Sequence, residues 1–130
     1  ADLDEVVGTP SVKLVVRHPD VGPERLLALA RSLGVPGVHA TTSGAPFLEV
    51  SRAGVTKATA LARHCAALGV AASEVVAFGD NLNDVEMIAW AGHGVAMGNG
   101  LPEARAVADE VAPPNSDDGV AVIIERILAG

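Results

Sequence analysis

Residues 75–87 read VVAFGDNLNDVEM, and they decide how the rest of the chain is read. An apolar run, Val75-Val76-Ala77-Phe78, meets two carboxylates and two carboxamides in quick succession: Asp80, Asn81, Asn83 and Asp84. The run is short and bounded by Gly79, which predicts a buried strand over Val75–Phe78. A helix is predicted from Asn83 to Ala91. In an open parallel sheet, ligands bind beyond the carboxyl ends of the strands, so Gly79-Asp80 would aim a carboxylate into that crevice.

Outward from this stretch, helices and short apolar strands alternate. Thr56 is a candidate N-cap for a helix through Leu68, with Ala58, Leu61, Ala62 and Cys65 inward and Gly69 as its stop. Gly94–Met97 reads as a strand, Pro102 opens a short helix, and Glu110–Ala112 reads as a brief strand. Gly119 begins a last helix with Val120, Ile123, Ile124, Ile127 and Leu128 on one stripe. Such alternation predicts βα units and a parallel sheet. The first fifty or so residues differ. Ser11–Arg17 reads as a strand and Pro23–Leu33 as a helix with Leu26, Leu29, Ala30 and Leu33 on one face. Val38–Thr41 and Pro46–Val50 read as strands flanking a Ser-Gly turn. The expectation is a two-part α/β chain: an α+β piece over 1–52 with an antiparallel sheet, then a parallel-sheet piece over 53–130.

Bulk properties exclude several classes. The chain has 130 residues, of which 49% are hydrophobic but only 2% aromatic, so its core must be built from Ala, Val, Leu and Ile. A net charge of −7 argues against nucleic acid and against an anionic membrane surface as partners. No apolar run approaches the length of a membrane span. A lone Cys65 rules out an intrachain disulfide and fits a reducing, cytoplasmic setting. The acidic opening, ADLDEVVG, lacks the basic flank of a signal peptide.

Asp80 and its neighbours offer hard oxygen donors, which suit Mg²⁺: that ion takes one or two protein carboxylates and keeps several waters. The alternative is a polar turn that merely caps a helix. His18, His39, His64 and His93 share no ligand spacing and read as surface or structural residues. Cys65, Met87 and Trp90 read as packing residues. Gly92-x-Gly94 is followed by Gly98 one position late for a dinucleotide fingerprint, and that reading is rejected.

Gly79-Asp80-Asn81-Leu82-Asn83-Asp84 resembles the fourth motif of the haloacid dehalogenase (HAD) superfamily, in its GDxxND form. Ala91–Gly100, AGHGVAMGNG, is similar to the AGxGVAMGNA segment of the Cof-type branch, and Asn115–Val120, NSDDGV, to its NDEDGV turn. Gly54-Val55-Thr56-Lys57 resembles the third motif, GVSKG, with Ala58 in place of the final Gly, and the separation of Lys57 from Asp80 is typical of the branch.

This resemblance implies a Mg²⁺-dependent phosphatase acting on a small phosphorylated metabolite such as a sugar phosphate. It implies Asp80 as the metal ligand and Asp84 as a support for the metal, through its waters or by orienting Asp80. Asn83 would bind a phosphoryl oxygen, and Lys57 would neutralise the phosphoryl group and the attacking carboxylate. It also implies a cap over 1–52, whose Arg17 and His18 could contact substrate, and part of the catalytic core over 53–130.

HAD phosphatases attack phosphorus with an Asp in a DxDGT motif, and a second motif supplies Ser or Thr. Asp2-Leu3-Asp4 has the DxD spacing but no preceding strand, and Glu5-Val6 stands where Gly-Thr belongs. No candidate for the second motif is found. The chain is therefore expected to be the C-terminal portion of a phosphatase and inactive alone. Missing strands would leave the strand at Val75–Phe78 with an open edge, which invites a homodimer or strand exchange. Two other readings stand beside this one: the phosphorylation domain of a P-type cation pump, and a self-associating, Mg²⁺-binding fragment without catalysis.

Overall fold

The computed structural model describes residue 8 and residues 10–130, so the Asp2-Leu3-Asp4 candidate lies outside the described residues. The chain divides into two compact units, with the division between Val55 and Thr56.

In the first unit, β1 (Leu14–Val16), β2 (Val38–Thr41) and β3 (Leu48–Arg52) form an antiparallel sheet in the order β1-β3-β2. Leu14 faces Val50 across one ladder, and Ala40 faces Val50 across the other. Helix α1 (Pro23–Leu33) packs on β2 and β3. Pro23 stands at its first turn, where the missing N–H costs nothing, and Gly34 ends it in the left-handed region.

Three expectations need correction in this unit. The Ser11–Arg17 strand shortens to Leu14–Val16, and the Pro46–Val50 strand slides to Leu48–Arg52. The buried face of α1 is centred on Leu27, while Leu29 is 52% and Leu33 74% exposed. A short sheet offers room for one turn of the helix, so the end of the predicted stripe hangs beyond it.

The second unit holds α2 (Lys57–Leu68), β4 (Val76–Gly79), α3 (Val85–Trp90), β5 (His93–Met97), α4 (Pro102–Val107), β6 (Glu110–Ala112) and α5 (Gly119–Ala129). Its strands pair in parallel in the order β4-β5-β6, with Phe78 beside Val95 and Met97 beside Ala112. Parallel strands must be covered on both faces. Ile123 of α5 packs with Val95, Met97, Ala112 and Phe78 on one side, and Ile88 of α3 with Ala96 and Ala104 on the other.

Helix α2 starts at Thr56, whose hydroxyl accepts the Thr59 N–H while the Thr59 hydroxyl accepts the Thr56 N–H. Such a reciprocal cap is worth about 1 kcal/mol. Cys65 is buried on the inner side of α2, as its stripe predicts.

Two expectations fail here. A 3-10 turn over Leu82–Asp84 precedes α3, so Asn83 sits in that turn and the helix proper begins at Val85. On α5 only Ile123 of the predicted stripe is buried; Val120, Ile124, Ile127 and Leu128 remain exposed. Among the described residues the sheet beneath α5 is three strands wide, too narrow to cover the whole stripe. Strand β4 is an edge strand among the described residues, and Val76 on it is 38% exposed. No described helix is long and apolar enough to cross a membrane.

Candidate active site

Asp80 leaves the carboxyl end of β4, and the chain turns at once through the Leu82–Asp84 turn into α3. Gly79 makes this possible: a Cβ there would lie 2.4 Å from Asp84 Cβ. Asp84 therefore folds back beneath the turn, and its side chain is only 5% exposed. Its Oδ2 accepts the backbone N–H groups of Asp80 and Asn81, each at 3.1 Å. Its Oδ1 accepts from Lys57 Nζ in an ion pair.

Packing brings Lys57 there. Helix α2 lies against α3 and the Leu82–Asp84 turn, which carries the first residue of α2 to Asp84. The Lys57 side chain is 49% exposed, so its ammonium keeps part of its hydration and can face a second anion. Buried charges persist only when paired and hydrogen-bonded, and Asp84 satisfies both conditions.

Asp80 differs. Its residue is exposed, and its carboxylate makes no hydrogen bond or ion pair among the described residues. Its main chain is held on both sides: the N–H by Asp84, and the carbonyl by the Leu101 N–H at 2.8 Å. Asn81 Oδ1 accepts the Leu82 N–H at 2.9 Å. Asn83 is half-buried, and its Oδ1 is fully buried with no donor within the described residues.

The donors fit a hard divalent cation. A free carboxylate and an unsatisfied amide oxygen are the oxygen types Mg²⁺ prefers, and one or two carboxylates suffice for it. Both oxygens of Asp84 are already engaged, so the geometry suits it to holding Asp80 and Lys57 rather than to direct ligation. No third His, Cys, Asp or Glu gathers with them among the described residues.

The other histidines take structural or exposed positions. His18 Nδ1 accepts the Asp20 N–H at 3.1 Å, closing a local turn after β1. His93 Nε2 lies 3.0 Å from Glu110 Oε2, which Arg126 of α5 also engages. The Arg126 hydrogen bond holds the Glu110 carboxyl below the usual carboxylate range; partial burial opposes this and His93 adds to it. This cluster ties α5 to the starts of β5 and β6. Only its residue types, not any spacing, could have announced it.

Residues 11–124 match the profile of the haloacid dehalogenase-like hydrolases. Over 86 residues the chain is 44% identical to a 5-amino-6-(5-phospho-D-ribitylamino)uracil phosphatase of Bacillus subtilis, covering 66% of this chain and 34% of that protein. A haloacid dehalogenase-like hydrolase from Bacteroides thetaiotaomicron superposes with a TM-score of 0.72 at 35% identity, over 91% of this chain and 44% of that one. A second protein from the same organism, from a study of HAD phosphatases, superposes with a TM-score of 0.80 at 28% identity, over 97% and 46%. The chain thus spans less than half the length of these relatives. With the profile matched over most of its length, the chain belongs to the haloacid dehalogenase-like hydrolase family.

Proposed function

We propose that this chain carries the lysine and metal-binding portion of a Mg²⁺-dependent phosphatase acting on small phosphorylated metabolites, such as sugar phosphates, in the cytoplasm. One observation carries the reading: the buried Asp84 carboxylate holds Lys57 on one oxygen and the Asp80 and Asn81 peptides on the other, leaving the Asp80 carboxylate free. In this reading Asp80 is the metal ligand and Asp84 orients it. Lys57, at the start of α2, places positive charge beside the phosphoryl group, and the Asn83 side-chain NH₂ donates to a phosphoryl oxygen. Bound Mg²⁺ supplies further charge stabilisation to the phosphoryl oxygens.

The first unit is assigned to the cap that selects substrate, and the second to the core. The carboxylate nucleophile is assigned to a part of the longer relatives that the described residues do not match, so the chain alone is inactive. The edge of β4, unpaired among the described residues, supports self-association, and strictly monomeric elution at high concentration would refute that part.

Mn²⁺, which shares the oxygen preference of Mg²⁺, tests the metal assignment by loss of the free-ion paramagnetic resonance signal. Wild type should bind, competitively with Mg²⁺, and Asp80→Ala should not. Equal binding by the two proteins would remove Asp80 from the role.

A further inference from the structure

A carboxylate far from Asp80 in sequence is nearly buried and only half satisfied. Glu49 stands in the middle strand of the first sheet, directly opposite Val15 on β1 and Thr41 on β2. Residues opposite one another share a face, so these three side chains stand abreast. The neighbouring residues on β3, Leu48 and Val50, alternate to the other face, the apolar one that suits α1. Val15 is 56% exposed, so the polar face is open on its β1 side.

The Glu49 side chain is 10% exposed, and Lys13 Nζ donates to its Oε1 at 2.7 Å. Nothing among the described residues donates to Oε2. A carboxylate has about four acceptor sites, so one ammonium leaves most of them empty. Withdrawing such a group from water is costly unless it is fully paired. The ion pair alone does not offset that cost, because Lys13 is 45% exposed and solvent screens it. Lys13 keeps further N–H donors. Thr41 Oγ1 makes one long hydrogen bond, 3.4 Å, to the Thr42 carbonyl and can still accept.

We propose that Glu49, with Lys13 and Thr41, binds adjacent hydroxyl groups on the polyol portion of the substrate, with Val15 against its C–H surface. This rests on the phosphatase reading, with the first unit as the cap. Each hydroxyl both donates and accepts. A carboxylate and an ammonium in contact therefore match a hydroxyl pair: one O–H donates to Glu49 Oε2 while its neighbour accepts from Lys13 Nζ. Hydrogen bonds to charged groups are the stronger kind, and an apolar wall beside a few placed polar groups is how small-molecule sites fix orientation. The two charges cancel, so the face has no net pull on a phosphate. It selects what the phosphate is attached to.

The test is amide NMR of the chain titrated with D-glucitol, an uncharged polyol, and read at Val15, Thr41 and Glu49. Triethylene glycol, equally soluble but without adjacent hydroxyls, is the comparison ligand. Wild type, Glu49→Ala, Glu49→Gln and Leu27→Val are compared, with urea unfolding of each alongside. Leu27 is a buried residue of α1, so its variant controls for destabilisation of the same unit. The expected result is a wild-type response to D-glucitol and none to triethylene glycol. D-Glucitol binding should be about tenfold weaker in Glu49→Ala and unchanged in Leu27→Val. Glu49→Gln keeps an acceptor for Lys13 but loses the charge, and it should also bind more weakly; should Glu49→Ala fail to fold, it carries the test.

Equal responses to the two ligands overturn the inference, as does D-glucitol binding that survives both Glu49 variants. Weakening in Leu27→Val equal to that in Glu49→Ala overturns it as well. Mn²⁺ binding by the same proteins separates this inference from the reading it rests on. Mn²⁺ held through Asp80 with no D-glucitol response removes the role of Glu49 and leaves the phosphatase reading intact. D-Glucitol bound by a chain that holds no Mn²⁺ removes the phosphatase reading, and the substrate role of Glu49 with it.

Discussion

Replacing Asp84 by Ala would leave the Asp80 and Asn81 N–H groups without their acceptor and Lys57 without its partner. Each orphaned, part-buried N–H costs about 1–2 kcal/mol, at the charged-acceptor end of the hydrogen-bond range. The ion pair adds less than its charges suggest. Lys57 is 49% exposed, so solvent screens the pair and its loss costs about 0.5 kcal/mol. Together these give about 2.5–4.5 kcal/mol.

Asp84→Asn is the sharper comparison. Its amide oxygen can still accept both N–H groups, while its NH₂ would face the Lys57 ammonium, so the cost falls to about 1 kcal/mol. Urea unfolding followed by Trp90 fluorescence reads this directly, because the single tryptophan closes α3 in the same unit. Asp84→Ala within 1 kcal/mol of wild type, or Asp84→Asn as damaging as Asp84→Ala, would refute the reasoning.

Ile123→Ala should cost about 2–4 kcal/mol, the range for emptying a closed core site, and a loss under 1 kcal/mol in the same assay would show that α5 is not anchored there. Asp80→Ala should leave stability within about 0.5 kcal/mol of wild type, since its carboxylate is exposed and unpaired among the described residues. The Glu110 carboxyl is held low in the folded state by Arg126 and then His93, so its contribution is present above the ordinary carboxylate range and lost as pH falls through the depressed folded value. Thermal unfolding from pH 6 to pH 3 should show a steeper acid decline for wild type than for Glu110→Gln, and 1 M salt should shrink the difference; parallel curves would contradict the assignment.

Local signals were legible where the chain states its own boundaries. Thr56 and Gly69 bracket α2, Pro102 opens α4, and β6 falls at Glu110–Ala112, because caps and breakers act within a few residues. Burial was less legible. Periodicity marks an apolar stripe on α1 and on α5, but how much of it is covered depends on how wide the facing sheet is. Leu33 and Leu128 are therefore exposed despite their spacing.

The candidate site divides in the same way. Asp80, Asn83 and Asp84 stand out as a polar burst after an apolar run. Lys57 is an ordinary helix residue by pattern; its place in the site was suggested only by the motif resemblance, and its ion pair with Asp84 was not foreseen. The hold of Leu101 on the Asp80 carbonyl had no signal at all, since a backbone hydrogen bond imposes no residue type.

The most direct test of the central claim is hydrolysis of a generic phosphomonoester by the purified chain in Mg²⁺, beside Asp80→Ala. The account predicts no turnover by either protein, because it assigns the attacking carboxylate to a part of the longer relatives that the described residues do not match. Mg²⁺-dependent turnover that disappears in Asp80→Ala would contradict it, and would make Asp2 and Asp4 the nucleophiles to replace next.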